Sequence, residues 1–249
     1  MPLLETEAIV LRTYRLGEAD KIVSLFSRQL GRIRAVAQGA LRAKSRFGGV
    51  LEPLTYARVS LFERENRNLA RINSAELVES FFAMQSDYAV HLAAQFVAEA
   101  SEQLLPEREA NERVFRLLIA VLRGLKTRRG SVEAPLAYFD FWLLLLSGFL
   151  PPLDRCGACG RALGSDGAWY GRGSLRMVCS RCRTPGEDLR IGAPPLAAAG
   201  GMRRLPLEKW MAEAGPQESV REMRLLFESW VEAAAEKKFA TRALLAEQP

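Results

Sequence analysis

The sequence predicts an α+β multidomain chain: a small all-β barrel or sandwich first, an α-helical domain behind it, and a four-cysteine finger inserted into the helical part. Three observations carry this. Short β-branched runs separated by turn residues fill residues 1 to about 80. Alanine and leucine at helical spacing take over from residue 81. All four cysteines of the 249-residue chain fall between Cys156 and Cys182.

The β runs are Ala8–Arg12, Ile22–Ser27, Arg32–Gln38, Thr55–Phe62 and Leu69–Leu77. Turn-prone segments punctuate them at Gly17–Asp20, Gly31, Gly39, Gly48-Gly49 and Glu65–Asn68. Short strands with such punctuation fit a closed or sandwiched all-β unit. Beyond residue 80, Val90, Ala94, Val97 and Ala98 mark one helix, and Val114, Leu117, Leu118, Val121 and Leu122 a second. Pro106 ends the first and Asn111 caps the second, while Gly130 and Ser131 precede a third. That third helix holds the longest apolar run, Leu136–Leu150. It contains Asp140 and Ser147 and falls short of the roughly 20 residues a bilayer span needs, so it reads as a buried core helix.

Residues 186–206 form a Pro/Gly-rich connection. Pro206 then suits the first turn of a helix and Gly215 its end. Ser219 with Glu222 reads as a capping box for the last helix, whose apolar stripe is Val220, Met223, Phe227, Trp230 and Val231. The tail after Leu245 reads as frayed. The resulting modules are 1–80, 81–150, 151–185 and 186–249.

Composition is that of a soluble globular protein, 49% hydrophobic and 26% charged. Glu5, Glu7, Arg12, Arg15, Glu18 and Asp20 leave no apolar stretch for a secretion signal, which predicts a cytoplasmic protein without membrane attachment. The net charge of +6 and a pI near 9.4 point to a polyanionic partner.

Cys156, Cys159, Cys179 and Cys182 form two C-x2-C pairs separated by nineteen residues. A two-residue gap lets two thiolates of a tight knuckle face one tetrahedral centre, and two knuckles fill its four positions. One structural Zn2+ per chain is predicted. Four protein ligands close its coordination sphere and leave no place for a reacting water. A reducing compartment disfavours disulfides. Arg155, Arg161, Arg181 and Arg183 flank the knuckles and would offset thiolate charge.

The stretch from Arg28 to Arg46 carries Arg28, Arg32, Arg34, Arg42, Lys44 and Arg46 and no acidic residue. Arg32 and Arg34 share one face of a strand, and Ile33 and Ala35 share the other. Arg42, Lys44 and Arg46 sit on a glycine-flanked loop, with Tyr14 and Phe47 as candidate stacking aromatics. Basic grooves with aromatic platforms hold single-stranded nucleic acid. Neutralising about six phosphates would cost roughly a thousandfold in affinity between about 50 and 200 mM salt.

Catalytic signatures are missing. There is no Walker loop and no G-x-G-x-x-G. The only histidine, His91, lies in a predicted helix and lacks the H-x-E context of a zinc deaminase. Carboxylates show no paired acid/base spacing. A non-enzymatic protein is expected.

Three stretches resemble the RecO family of recombination mediators: Ala8–Arg12 with Gly17–Ser27; Leu30–Ala40 ending in Lys44–Phe47; and Leu145–Asp154 running directly into Cys156–Gly160. The resemblance implies an OB-fold barrel, a helical domain and a zinc finger within it. It implies binding of single- and double-stranded DNA, annealing of complementary strands, and a nucleoid-associated location. With RecR as partner, it implies loading of RecA onto DNA coated by single-strand-binding protein. The family's DNA-contacting positions match Arg32, Arg34, Arg42, Lys44 and Arg46. An RNA- or ribosome-binding protein with the same modules is the alternative, and a protein-interaction scaffold a third reading.

Overall fold

The computed structural model describes residues 3–62, 69–127, 131–163 and 165–246. The turn read over Glu65–Asn68, the break at Gly130 and the chain beyond Ala246 lie outside the described residues. Two compact units emerge, 1–122 and 123–249.

The first unit is built on five strands: β1 (Leu3–Leu16), β2 (Asp20–Ser27), β3 (Gly31–Ala37), β4 (Thr55–Phe62) and β5 (Ala70–Ser80). They close in the order β1-β2-β3-β5-β4. Every pairing is antiparallel except β3 with β5, where Ala35 faces Ala70 and Val36 faces Arg71. This is the Greek-key barrel of the OB fold.

Alternation dictates the interior. Val23 and Leu25, Ile33, Ala35 and Ala37, and Val59 and Leu61 all point inward. Phe47 and Leu51, from the turn-rich segment between β3 and β4, plug the same core. A bulge at Leu11 shifts the register of β1 against β2.

Ile9, Leu11 and Phe26 are also buried, yet they are not part of the barrel interior. An apolar outer face must be covered, and α1 (Tyr88–Leu104) packs against β1. A 3-10 turn at Phe82–Ser86 leads into α1. The Asp87 carboxylate caps α1 by accepting from Val90 N at 3.2 Å. The helix ends at Leu104, just before Pro106. α2 (Glu112–Thr127) starts at the predicted cap: Asn111 Oδ1 accepts from the backbone N–H of Arg113 and Val114, at 3.1 and 3.2 Å.

In the second unit, α3 (Glu133–Leu146) is the predicted core helix and packs on α6 (Gln217–Ala235). Two strands, β6 (Ala168–Tyr170) and β7 (Leu189–Ile191), pair antiparallel beside the cysteines. The Pro/Gly-rich connection is partly helical: α4 spans Ala193–Gly201 with proline in its first turn, where the missing N–H costs nothing. α5 (Leu207–Glu213) follows Pro206, and α7 (Ala240–Ala246) is the last helix.

The capping box is corrected. α6 begins at Gln217 after Pro216, so Ser219 already lies within its first turn. Glu222 instead accepts a hydrogen bond from Gly192 N at 3.2 Å, tying the end of β7 to α6. No helix among the described residues is long and apolar enough to cross a membrane.

Candidate nucleic-acid interface and metal centre

The structure divides the six basic residues into two groups. Arg28, in the β2–β3 turn, is committed internally. Its Nε and Nη2 donate to both oxygens of Glu112, at 2.7 and 2.6 Å, and Nη1 donates to Glu7 at 2.7 Å. Its guanidinium also lies over the Phe115 ring, 5.5 Å from the centroid. Hydrogen bonding from Arg28 brings the Glu112 carboxyl down to about 2. Arg32 is committed too. Its Nε donates to Leu105 O at 2.9 Å, and Nη1 pairs with Glu107 at 3.1 Å.

These contacts fasten residues 105–112 to the barrel. Arg32 and Glu107 form a parallel bridge, and Arg108 N donates to Arg32 O at 2.9 Å. Gly31 permits the approach. It has φ +66°, and a Cβ there would lie 2.0 Å from Glu109 O.

The second group faces solvent. Arg34 points outward from β3, as the alternation predicted, because Ile33 and Ala35 fill the barrel. Arg42, Lys44 and Arg46 are exposed on the β3–β4 segment and have no acidic partner among the described residues. That segment is pinned to the β1–β2 turn. Gly39 N donates to Asp20 Oδ1 at 2.8 Å, Leu41 N to Ala19 O at 2.9 Å, and Lys21 Nζ to Glu52 at 2.7 Å. The pinning brings Arg15, an exposed residue opposite Lys21 on the β1–β2 hairpin, to the same end of the barrel. Sequence distance concealed it, since nothing in the pattern ties the β1–β2 hairpin to the segment after residue 38.

The two candidate stacking aromatics separate as well. Phe47 is corrected: it is 1% exposed inside the barrel core, with Arg46 4.8 Å over its ring, so it offers no face to a base. Tyr14 is 41% exposed. Arg12 lies 5.6 Å over its ring, and its hydroxyl donates to Glu102 at 3.5 Å.

The cysteine centre is assembled as the spacing predicted. The four Sγ atoms lie within 4.8 Å of one another, a group that could hold a metal ion. Gly160, at φ +71°, turns the first knuckle, and Gly160 N donates to Cys156 O at 2.9 Å. In the second knuckle Cys182 N donates to Cys179 O at 3.0 Å. Gly157 N reaches Met177 O at 2.7 Å, and Cys179 N donates to Cys156 Sγ at 3.3 Å, joining the two knuckles.

The donor set fits a cation. Burial opposes the Cys156 thiolate, but backbone N–H groups of Cys159, Cys179 and Ala158 outweigh it and bring the thiol down to about 6. Its neighbours Cys159 and Cys179 push Cys182 the other way, up to about 12. Four thiolates this close repel one another, and a positive ion among them would relieve that repulsion.

Sequence reasoning missed what holds the second knuckle. Buried Glu187 accepts from Thr184 N at 2.8 Å and from Arg176 at 2.8 and 3.0 Å. Arg183 donates to Glu187 O at 3.0 Å and to Asp188 at 2.9 Å, and stacks on Trp169 with its Cζ 4.0 Å from the ring centroid. Arg155 pairs with Asp154. Of the four flanking arginines, Arg161 and Arg181 alone lack an acidic partner among the described residues.

Barrel topology and cysteine cluster together define the class: an OB-fold protein with a helical domain and a four-cysteine group that could hold a metal ion. Residues 1–81 match the family described as "Recombination protein O N terminal", and residues 85–243 match "Recombination protein O C terminal". The chain is 40% identical over 248 residues to the "DNA repair protein RecO" of Koribacter versatilis, covering 98% of both chains. It is 36% identical over 248 residues to that of Bifidobacterium longum subsp. infantis, covering 98% and 99%. With the protein of the same name from Anaeromyxobacter dehalogenans (strain 2CP-C) it shares 30% identity over 254 residues, covering 99% and 97%. The chain belongs to the RecO family of DNA repair and recombination proteins. These names do not favour the RNA- or ribosome-binding alternative.

Proposed function

We propose that the protein is a non-enzymatic recombination mediator whose barrel binds single- and double-stranded DNA and anneals complementary strands. With RecR it helps load RecA onto DNA coated by single-strand-binding protein, in the cytoplasm at the nucleoid. The observation that carries the DNA reading is the exposed run of Arg42, Lys44 and Arg46 on the β3–β4 segment, with no acidic partner among the described residues. Guanidinium and ammonium groups on a loop tied down at both ends meet phosphates at low ordering cost. Annealing requires strands to be held by their backbones with bases free, and contacts of this kind leave base edges untouched.

The metal is Zn2+, one per chain, held by Cys156, Cys159, Cys179 and Cys182. When bound it supplies charge compensation and a fixed tetrahedral node, with no chemistry of its own. The segments 1–80, 81–150, 151–185 and 186–249 act as DNA-binding, helical, zinc and second helical modules.

The test is annealing of complementary oligonucleotides, bare and coated with single-strand-binding protein. The expected result is accelerated annealing of both, lost when Arg42, Lys44 and Arg46 are neutralised. Annealing no faster than the uncatalysed rate on either substrate refutes the reading.

A further inference from the structure

Arg32 and Arg34 share the outward face of β3, where a nucleic-acid backbone would lie. An anion from the chain itself is already there. Glu107 Oε1 is 3.1 Å from Arg32 Nη1 and 3.8 Å from Arg34 Nε. One carboxylate oxygen between two guanidiniums occupies the position a phosphate oxygen would take. The Glu107 side chain is 55% exposed and that of Arg34 49%, against 12% for Arg32, so a polyanion reaches this group from solvent at Arg34.

The carboxylate is not what fixes its own segment. Residues 105–109 are held by Arg108 N donating to Arg32 O, by Arg32 Nε donating to Leu105 O, and by the close approach of Glu109 to Gly31. None of these uses the Glu107 side chain. A purely anchoring role would make that carboxylate redundant.

We propose that Glu107, anchored on Arg32, is a built-in competitor of the nucleic-acid phosphate: it occupies Arg34 and so sets a ceiling on affinity for single strands. The inference rests on the DNA reading above. It adds that β3 is held in reserve, so that loop 38–54 makes the resting contacts and the strand engages only when a phosphate displaces Glu107. A mediator that must give up its strand to a recombinase gains from such a ceiling, because each withheld charge hastens release.

The experiment measures binding of a fluorescein-labelled oligo-dT to the full chain and to Glu107→Gln across a salt series. The substitution keeps side-chain shape and removes the charge. One further phosphate contact should tighten binding roughly tenfold at about 50 mM salt and steepen the salt slope by about 0.7. Arg34→Gln should cost little in the parent and cancel most of the gain in the Glu107→Gln background, a coupling that a merely structural glutamate would not show. Equal Kd and slope in parent and Glu107→Gln, or weaker binding by the variant with an unchanged melting temperature, overturns the proposal while leaving the DNA reading intact. If neither protein binds, both fall.

Discussion

Loop cations, and not the arginines of the β2–β3 turn and β3, should carry the salt dependence of DNA binding. The perturbation is Arg42→Gln, Lys44→Gln and Arg46→Gln together. With Arg28 and Arg32 committed to Glu112, Glu7 and Glu107 and Arg34 drawn toward Glu107, three exposed cations remain on the loop. On single strands each neutralised phosphate contributes about −0.7 to the slope of log K against log salt, so three give about −2. Affinity of the parent should then fall only about twentyfold between about 50 and 200 mM salt, against about three hundredfold for six contacts on a single strand and about a thousandfold or more for six on a duplex. The triple variant should flatten the slope toward zero. Arg28→Gln should leave the slope unchanged and lower the melting temperature, because it releases Glu112 and Glu7. Fluorescence anisotropy on one labelled oligonucleotide, with thermal melts of each variant, reads both quantities. A parent slope near −4, or an Arg28→Gln variant as flat as the triple one, refutes the division into latch and contact residues.

Four further outcomes follow from the same geometry. Phe47→Ala should cost about 3–5 kcal/mol of stability as a core truncation, whereas Phe47→Leu should keep DNA affinity; denaturant melts and anisotropy separate the two roles. Glu112 has a folded value near 2, below its ordinary 4.5, so its pairing with Arg28 stabilises fully above 4.5 and is lost as pH falls through 2. Melting temperatures of the parent should therefore drop more steeply than those of Glu112→Gln on acidification across that window. Asp140 is fully buried on α3 with no hydrogen-bond partner for either oxygen among the described residues, and burial raises its carboxyl well above 3.8. Its raised value means stability is lost as pH rises from 3.8, so Asp140→Asn should be more stable than the parent at neutral pH, and equal melting curves there would contradict this. Chelation should release about one zinc per chain and change Trp169 emission, since Arg183 stacks on that ring beside Cys182; less than about half an equivalent with an unaltered spectrum argues against the metal.

Much of this architecture was legible because it depends on local periodicity. Alternation in Arg32–Ala37 set which side chains entered the barrel, and two C-x2-C pairs sufficed to bring four sulfurs together. What escaped depends on long-range placement. A run without acidic residues looks like a free basic surface only while its partners are invisible, and the acids that claim Arg28 and Arg32 come from residues 7, 107 and 112. Phe47 reads as a platform beside basic residues, yet a barrel lined with alanines at 8, 35, 37, 57 and 70 leaves volume that a large ring from the following loop must fill. Ser219 and Glu222 satisfy a capping pattern, but Pro216 starts the helix earlier and frees Glu222 to hold Gly192. The latch and the contact surface thus draw on one stretch of sequence. Arginine serves both because a fork that pairs with a carboxylate pairs equally well with a phosphate. The position of Glu107 between Arg32 and Arg34 makes those two uses compete, and the balance between them is set by one carboxylate charge.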